Sequence, residues 1–236
     1  MRDRFPDEDY PADPYPGGMP DGSFVHLDGL GHRIVDGGVR GEPLDDWLAG
    51  HGAPPLTGRF PVLAYGSNRC PSKITWLRAE LGLTGPVVVL AVVAEGLAAV
   101  WATGVRKRDG QRPAVLAAAP GVTERHSLWL ATPEQLAVLD VCEGRGERYR
   151  LARLRTGEVR TETGTEVDRP YCYLGLPPHR RPLLMNGDPV RCEEVDQVKA
   201  RELIGAPAPD DGLTADEVSG APTRVSLDPS GWLRGG

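Results

Sequence analysis

Between Pro61 and Leu176 the apolar residues fall into short blocks separated by Gly, Pro and charge. "PVLAY" (61–65), "PVVVLAVVA" (Pro86 to Ala94) and "LAAVW" (97–101) read as strands. "PAVLAAAP", "HSLWLA", "YRLARL" and "PYCYLGL" continue the same texture, so the pattern predicts a strongly β core. Two segments carry helical spacing instead. "PSKITWLRAEL" opens with Pro71 at a first-turn position and repeats apolar residues at Ile74, Leu77 and Leu81. "TPEQLAVLDVCEG" begins with Thr132, Pro133 and Gln135, a capping box with proline at the first helical position, and stops at Gly144. A third helix is predicted around "CEEVDQVKARELIG". Strands and helices do not alternate regularly, which favours an α+β arrangement over a doubly wound parallel sheet.

The flanks differ. Residues 1–56 are rich in Pro, Gly and Asp, with only "SFVHLDG" and "HRIVDG" suggesting short strands, and the tail beyond Gly205 returns to that composition. Such segments are expected to be flexible or loosely attached. The organisation predicted is an N-terminal extension (1–56), a central domain (57–182), and a C-terminal helix and tail (183–236). Deleting residues 1–50 should then leave a folded core, with Phe24, Val25 and Trp47 the side chains most able to contradict this.

Composition narrows the function classes. The 236 residues suit one sizeable domain with extensions, or two small domains. A formal charge of -6 and the lack of a basic stretch interleaved with aromatics argue against nucleic acid or an anionic membrane as partner. No apolar run approaches the ~18 residues of a membrane span, and "MRDRFPDEDYPADPYPGG" is not a signal peptide. Cys70, Cys142, Cys172 and Cys192 are widely spaced without a C-x-x-C pair, as expected of reduced thiols in a cytoplasmic protein. The histidines lack metal-ligand spacing, and no metal or cofactor is implied.

Two stretches carry candidate chemistry. Tyr65-Gly66-Ser67-Asn68 lies between a strand and a helix, where unsatisfied N–H groups and the positive end of a helix dipole favour a carboxylate or oxyanion. Gly66 would permit a positive φ or a close backbone approach. Neither a P-loop nor a nucleophile elbow is present. A plain turn explains the tetrapeptide equally well. Glu143 ends a helix among apolar neighbours, with Asp140 three residues earlier. The dipole, burial and a second negative charge would each raise its pKa toward a range useful for proton transfer. The alternative is a solvated glutamate before a turn. Ser67 or Cys70 as nucleophile would need His126 as base, and His126 reads as an ordinary edge residue. "RKRDGQR" (106–112) reads as a solvated hairpin tip.

Taken together, Tyr65 to Asn68 after a strand, followed by Leu139, Asp140, Glu143, Gly144 and Tyr149 in "LDVCEGRGERYRLARL", resemble the γ-glutamylcyclotransferase-like family over roughly residues 60–180. Arg69 and His126 stand where that family usually has an apolar residue and a glycine. The resemblance implies a small mixed β-barrel with flanking helices. It implies Glu143 as the acid/base, and Tyr65, Gly66, Ser67, Asn68 and Tyr149 as substrate-binding residues. It also implies a small-molecule γ-glutamyl substrate that releases 5-oxoproline and an amine, with no cofactor. The oligomeric state is not specified. A non-catalytic module binding a metabolite or partner through the same cleft is the alternative from another class.

Overall fold

The computed structural model describes residues 3–221. In chain order, the elements that frame the molecule begin with β1 (Phe24–Leu27), β2 (Leu30–Val35), α1 (Leu44–Gly50), β3 (Phe60–Ala64) and α2 (Pro71–Leu81). They continue with β4 (Val87–Trp101), β5 (Ala114–Ala131), α3 (Pro133–Glu143), β6 (Tyr149–Leu154) and β7 (Glu158–Thr161). β8 (Tyr171–Gly175), α4 (Gln197–Glu202) and β9 (Ala215–Glu217) complete the set. Neighbouring strands follow the order β9-β6-β8-β3-β5-β4-β1-β2, with β7 on the flank of β4. The β8–β3 pair is parallel, placing Tyr171 beside Val62, and the other neighbours in this order are antiparallel. The sheet is thus mixed, and with few helices the class is α+β. Among the described residues the pairings form an open path, with no pair joining its ends, so they do not close the expected barrel.

β4 and β5 are 15 and 18 residues long, and each absorbs two of the blocks read as separate strands. Their register shifts between Glu95 and Leu97, so a bulge at Gly96 marks the boundary that the sequence suggested. Alternate residues of these strands feed two apolar clusters on opposite faces. Leu90, Trp101 and Leu128 belong to the cluster that takes Trp47 and Leu48 from α1. Val89 and Trp129 belong to the other, with Ile74 and Leu77 of α2 and Leu136 and Leu139 of α3.

The N-terminal segment is not loosely attached. Arg4–Pro6 pairs with β2, β1 pairs with β4, and Phe5, Tyr15, Phe24, Val25, Val39, Leu44, Trp47 and Leu48 are all buried. Its Pro, Gly and Asp residues serve tight turns between short elements that bury these side chains, while Val35 stays exposed. "RKRDGQR" is solvated at its tip, where Lys107, Arg108 and Asp109 are exposed, but its last residue is not. The Arg112 guanidinium is buried and donates to the carbonyls of Ala102, Thr103, Ala200 and Leu203.

His126 lies within β5, buried, opposite Val92 rather than at an edge. Its Nε2 is 3.4 Å from Glu124 Oε2, but Glu124 is held by two N–H groups of Arg191 at 2.9 Å each. Burial, together with the Arg69 charge, lowers the His126 pKa to about 3, and burial with Arg78 lowers that of His26 to about 4. Both are neutral in the native state, while the unfolded chain takes up protons below the ordinary histidine value near 6.5. Stability is therefore fully present above that value and falls as pH drops toward 4 and then 3. Each unit of separation corresponds to ~1.4 kcal/mol, so acidification to pH 5 should cost a few kcal/mol in all. Melting curves at pH 7.5 and 5 should show this loss, and His126→Asn should narrow the gap. An equal gap in the variant would remove His126 from the account.

Candidate functional site

The apolar strand β3 delivers the first half of the site. At its end the Tyr65 hydroxyl donates to the Tyr173 carbonyl of β8 at 2.6 Å. Ser67–Arg69 then form a single 3-10 turn before Pro71 opens α2. The Trp129 indole N–H donates to the Asn68 carbonyl at 2.8 Å, fixing the turn against β5. Gly66 has φ -111°, so a positive φ is not the reason for glycine here. The reason is space, because a Cβ would lie 2.6 Å from the Tyr15 hydroxyl. Among the described residues, the N–H groups of Gly66, Ser67 and Asn68 have no hydrogen-bond acceptor. They are available to an anion or a developing oxyanion.

α3 delivers the second half. Thr132 and Gln135 form both arms of the capping box, and the helix ends at Glu143 with Gly144 in the left-handed region at φ 63°. A side chain at Gly144 would also strike the Arg148 guanidinium, which donates to the carbonyls of Glu143 and Cys142. This stop turns the Glu143 carboxylate inward. Its Oε1 accepts a hydrogen bond from Asn68 Nδ2 at 2.6 Å, joining elements 75 residues apart.

Glu143, Tyr65, Gly66, Ser67, Asn68 and Tyr149 all line one cavity of about 490 Å³. Desolvation raises the Glu143 pKa, opposed first by the Asn68 hydrogen bond and then by the charges of Lys73, Arg148 and Arg180. Asp140, expected to add to the rise, is not among its main causes. It faces Arg145 at 2.9 Å and accepts from the Tyr173 hydroxyl at 2.7 Å, so its charge is matched locally. The Tyr149 hydroxyl donates to the Ala114 carbonyl at 3.3 Å, with Arg180 over its ring. Burial raises both the Tyr65 and Tyr149 phenols, which therefore act as neutral donors and walls.

The candidate nucleophiles are poorly served. Cys70 and His126 do not line the cavity. The Cys70 thiol is buried, its pKa is raised by desolvation, and it donates to the Tyr10 carbonyl. Ser67 lines the cavity, as does His179, but no hydrogen bond joins the two. Among the described residues no group of three or more His, Cys, Asp or Glu side chains is placed to hold a metal ion. No helix among them is long and apolar enough to cross a membrane.

Sequence reasoning missed Tyr15, which reaches the cavity from the segment read as an extension. Its hydroxyl accepts from the Ala114 N–H at 3.0 Å, and Arg106 lies over its ring at 4.8 Å. It also missed Lys73 and Trp76 on α2, and Arg148 and Arg180. The basic run 106–108 was visible in the sequence, but nothing local indicated that it folds onto the cavity wall.

No family model and no curated protein matches the chain. Solved structures that align with the chain include one titled "Gamma-glutamyl cyclotransferase", at 18% identity and TM-score 0.41, covering 50% of this chain and 66% of that one. The chain thus spans about two thirds of that relative's length. An uncharacterized protein from Homo sapiens aligns at 18% identity and TM-score 0.42, covering 50% of this chain and 68% of its own. YkqA from Bacillus subtilis aligns at 15% identity and TM-score 0.39, covering 80% of this chain and 67% of its own.

Proposed function

We propose that the protein is a cyclotransferase that converts a γ-glutamyl amide to 5-oxoproline and a free amine. The observation that carries this reading is Glu143, a desolvated carboxylate held by Asn68 at 2.6 Å beside the unsatisfied amides of Gly66 to Asn68. A γ-glutamyl amide supplies its own nucleophile. With the α-amine neutral, its nitrogen attacks the γ-carbonyl carbon, a C–N bond closes a five-membered lactam, and the original amide C–N bond breaks. One proton must leave the attacking nitrogen and one must reach the departing nitrogen. Glu143 takes the first and returns it as the second, so no protein nucleophile is required. The Gly66 to Asn68 amides stabilise the oxyanion or hold the substrate carboxylate. The walls formed by Tyr65 and Tyr149 keep the glutamyl chain folded for attack.

Product analysis tests the reaction class. Incubation with γ-glutamyl amides should give 5-oxoproline and amine in equal amounts, whereas release of glutamate would identify a hydrolase and overturn the proposal. A second prediction concerns pH. Asn68 donates to the Glu143 carboxylate and so favours its ionised form. Asn68→Ala removes that support and raises the Glu143 pKa further, so the base is ionised only at higher pH. The acidic limb of kcat/KM against pH should move toward alkaline pH. An unmoved limb would show that this carboxylate does not govern it.

A further inference from the structure

Lys73 sits on α2 facing the cavity, buried at 8% exposure, and among the described residues no carboxylate lies within 4 Å of its Nζ. Its ammonium lies 3.4 Å from the centroid of the Trp76 ring, one helical turn further on, with the Cys142 thiol within hydrogen-bonding reach. The Arg108 guanidinium covers the same ring at 5.6 Å. Burial lowers the Lys73 pKa, and an anion placed beside it would reverse that shift. A track of positive charge and aromatic surface therefore leads outward from Glu143, through Lys73 and Trp76, to Arg108 and Lys107 at the rim.

The charge of the lining is lopsided. Lys73, Arg106, Lys107, Arg108, Arg148 and Arg180 face the cavity, against the carboxylates Glu143 and Glu147. Asp109 outside it offsets one more, pairing with Arg106 at 2.9 Å and Arg108 at 3.0 Å. A γ-glutamyl group brings a single α-carboxylate, which leaves at least two positive charges unmatched. The cavity also exceeds that group in size, since ~300–1,000 Å³ is the range that encloses drug-sized ligands. The whole chain, in contrast, is acidic at -6, so this concentration of cations is local to the site.

We infer that the amine half of the substrate is a dianion or polyanion, seated on Lys73, Trp76 and the 106–108 segment. This inference rests on the cyclotransferase reading for the identity of the other half. Carboxylates and a phosphate satisfy the subsite alike, because it recognises charge. Lys73 holds the anion nearest the scissile bond, and Arg108 and Lys107 hold the outer one. Amines that are neutral or cationic leave those positive charges unpaired and are disfavoured.

The test compares three amides: γ-glutamylglutamate, with a dianionic amine half, neutral γ-glutamylethylamide and cationic γ-glutamylputrescine. Wild type should favour the first by kcat/KM, and Arg108→Glu should lower the glutamate-to-ethylamide ratio by at least about tenfold. Lys73→Met should lower it too, and the wild-type preference should weaken with added salt. Binding is followed separately in Glu143→Gln protein by quenching of tryptophan fluorescence, with Trp76→Phe assigning the signal. Turnover of the ethylamide or putrescine conjugate as fast as γ-glutamylglutamate would overturn the inference and leave the cyclotransferase reading standing. Saturable binding of γ-glutamylglutamate, weakened by Arg108→Glu but without 5-oxoproline from any amide, would uphold the anionic subsite and overturn the reaction.

Discussion

Glu143→Gln is expected to lower 5-oxoproline release from γ-glutamyl amides by ~10²–10⁴-fold while substrate binding largely survives. The substitution keeps the side chain's size, and its amide oxygen can still accept the hydrogen bond that Asn68 Nδ2 makes at 2.6 Å. What is lost is the negative charge and, with it, the ability to take up and return a proton. The effect should therefore fall on kcat more than on KM. Cys70→Ala should retain turnover, because that thiol is directed at the Tyr10 carbonyl and lies outside the cavity lining. Ser67→Ala should slow the reaction without abolishing it. Near-normal release by Glu143→Gln, or complete loss confined to Cys70→Ala, would sink the mechanism and point to a covalent amidase.

Removing residues 1–50 should abolish folding of the remainder rather than trim a tail. The deletion takes away Phe5, Tyr15, Phe24, Val25, Val39, Leu44, Trp47 and Leu48, all buried, and the strand that pairs with Val87–Val89. Fully burying one such side chain contributes ~1.5–3 kcal/mol, so the sum exceeds ~10 kcal/mol and rivals the ~5–15 kcal/mol that holds a typical domain folded. Insoluble protein, or soluble protein without a cooperative melting transition, is the expected outcome. A truncated chain melting within a few degrees of the full one would return the segment to the status of an extension. A milder probe is Tyr15→Phe, which removes the acceptor of the Ala114 N–H while keeping the ring under Arg106.

The helices were legible because their signals are local. Pro71 at the start of α2, and the Thr132–Gln135 box and Gly144 around α3, each fix a backbone boundary within a few residues, and both helices occupy the spans those residues imply. The strands were legible as apolar blocks, but not the continuity of β4 through Gly96, since a bulge and a turn share the same residue signals. Tyr65 to Asn68 and Glu143 stood out by residue type and order, and the fold brings them to one cavity. What the sequence hid was long-range. Burial of Phe24 or Tyr15 depends on partners at 87–91 and 111–114, and the mean composition of the segment, dominated by Pro, Gly and Asp, masks a few fully buried side chains. The same holds for His126, whose neighbours within the strand look like those of an edge, whereas its burial comes from across the sheet.

Tyr15 carries a consequence for how the cavity is assembled during synthesis. Its carbonyl accepts from Gln197 Nε2 at 3.2 Å, a partner 182 residues later, and the same amide N–H donor group binds the Arg112 carbonyl at 2.9 Å. One wall of the cavity is thus tied by two residues 182 positions apart. A ribosome-bound chain that stops short of α4 already holds Glu143 and the Gly66 to Asn68 turn, yet lacks the tie that seats Tyr15 behind them. The cavity should therefore be complete only once α4 has emerged, and the earlier apolar residues must wait for their partners during elongation.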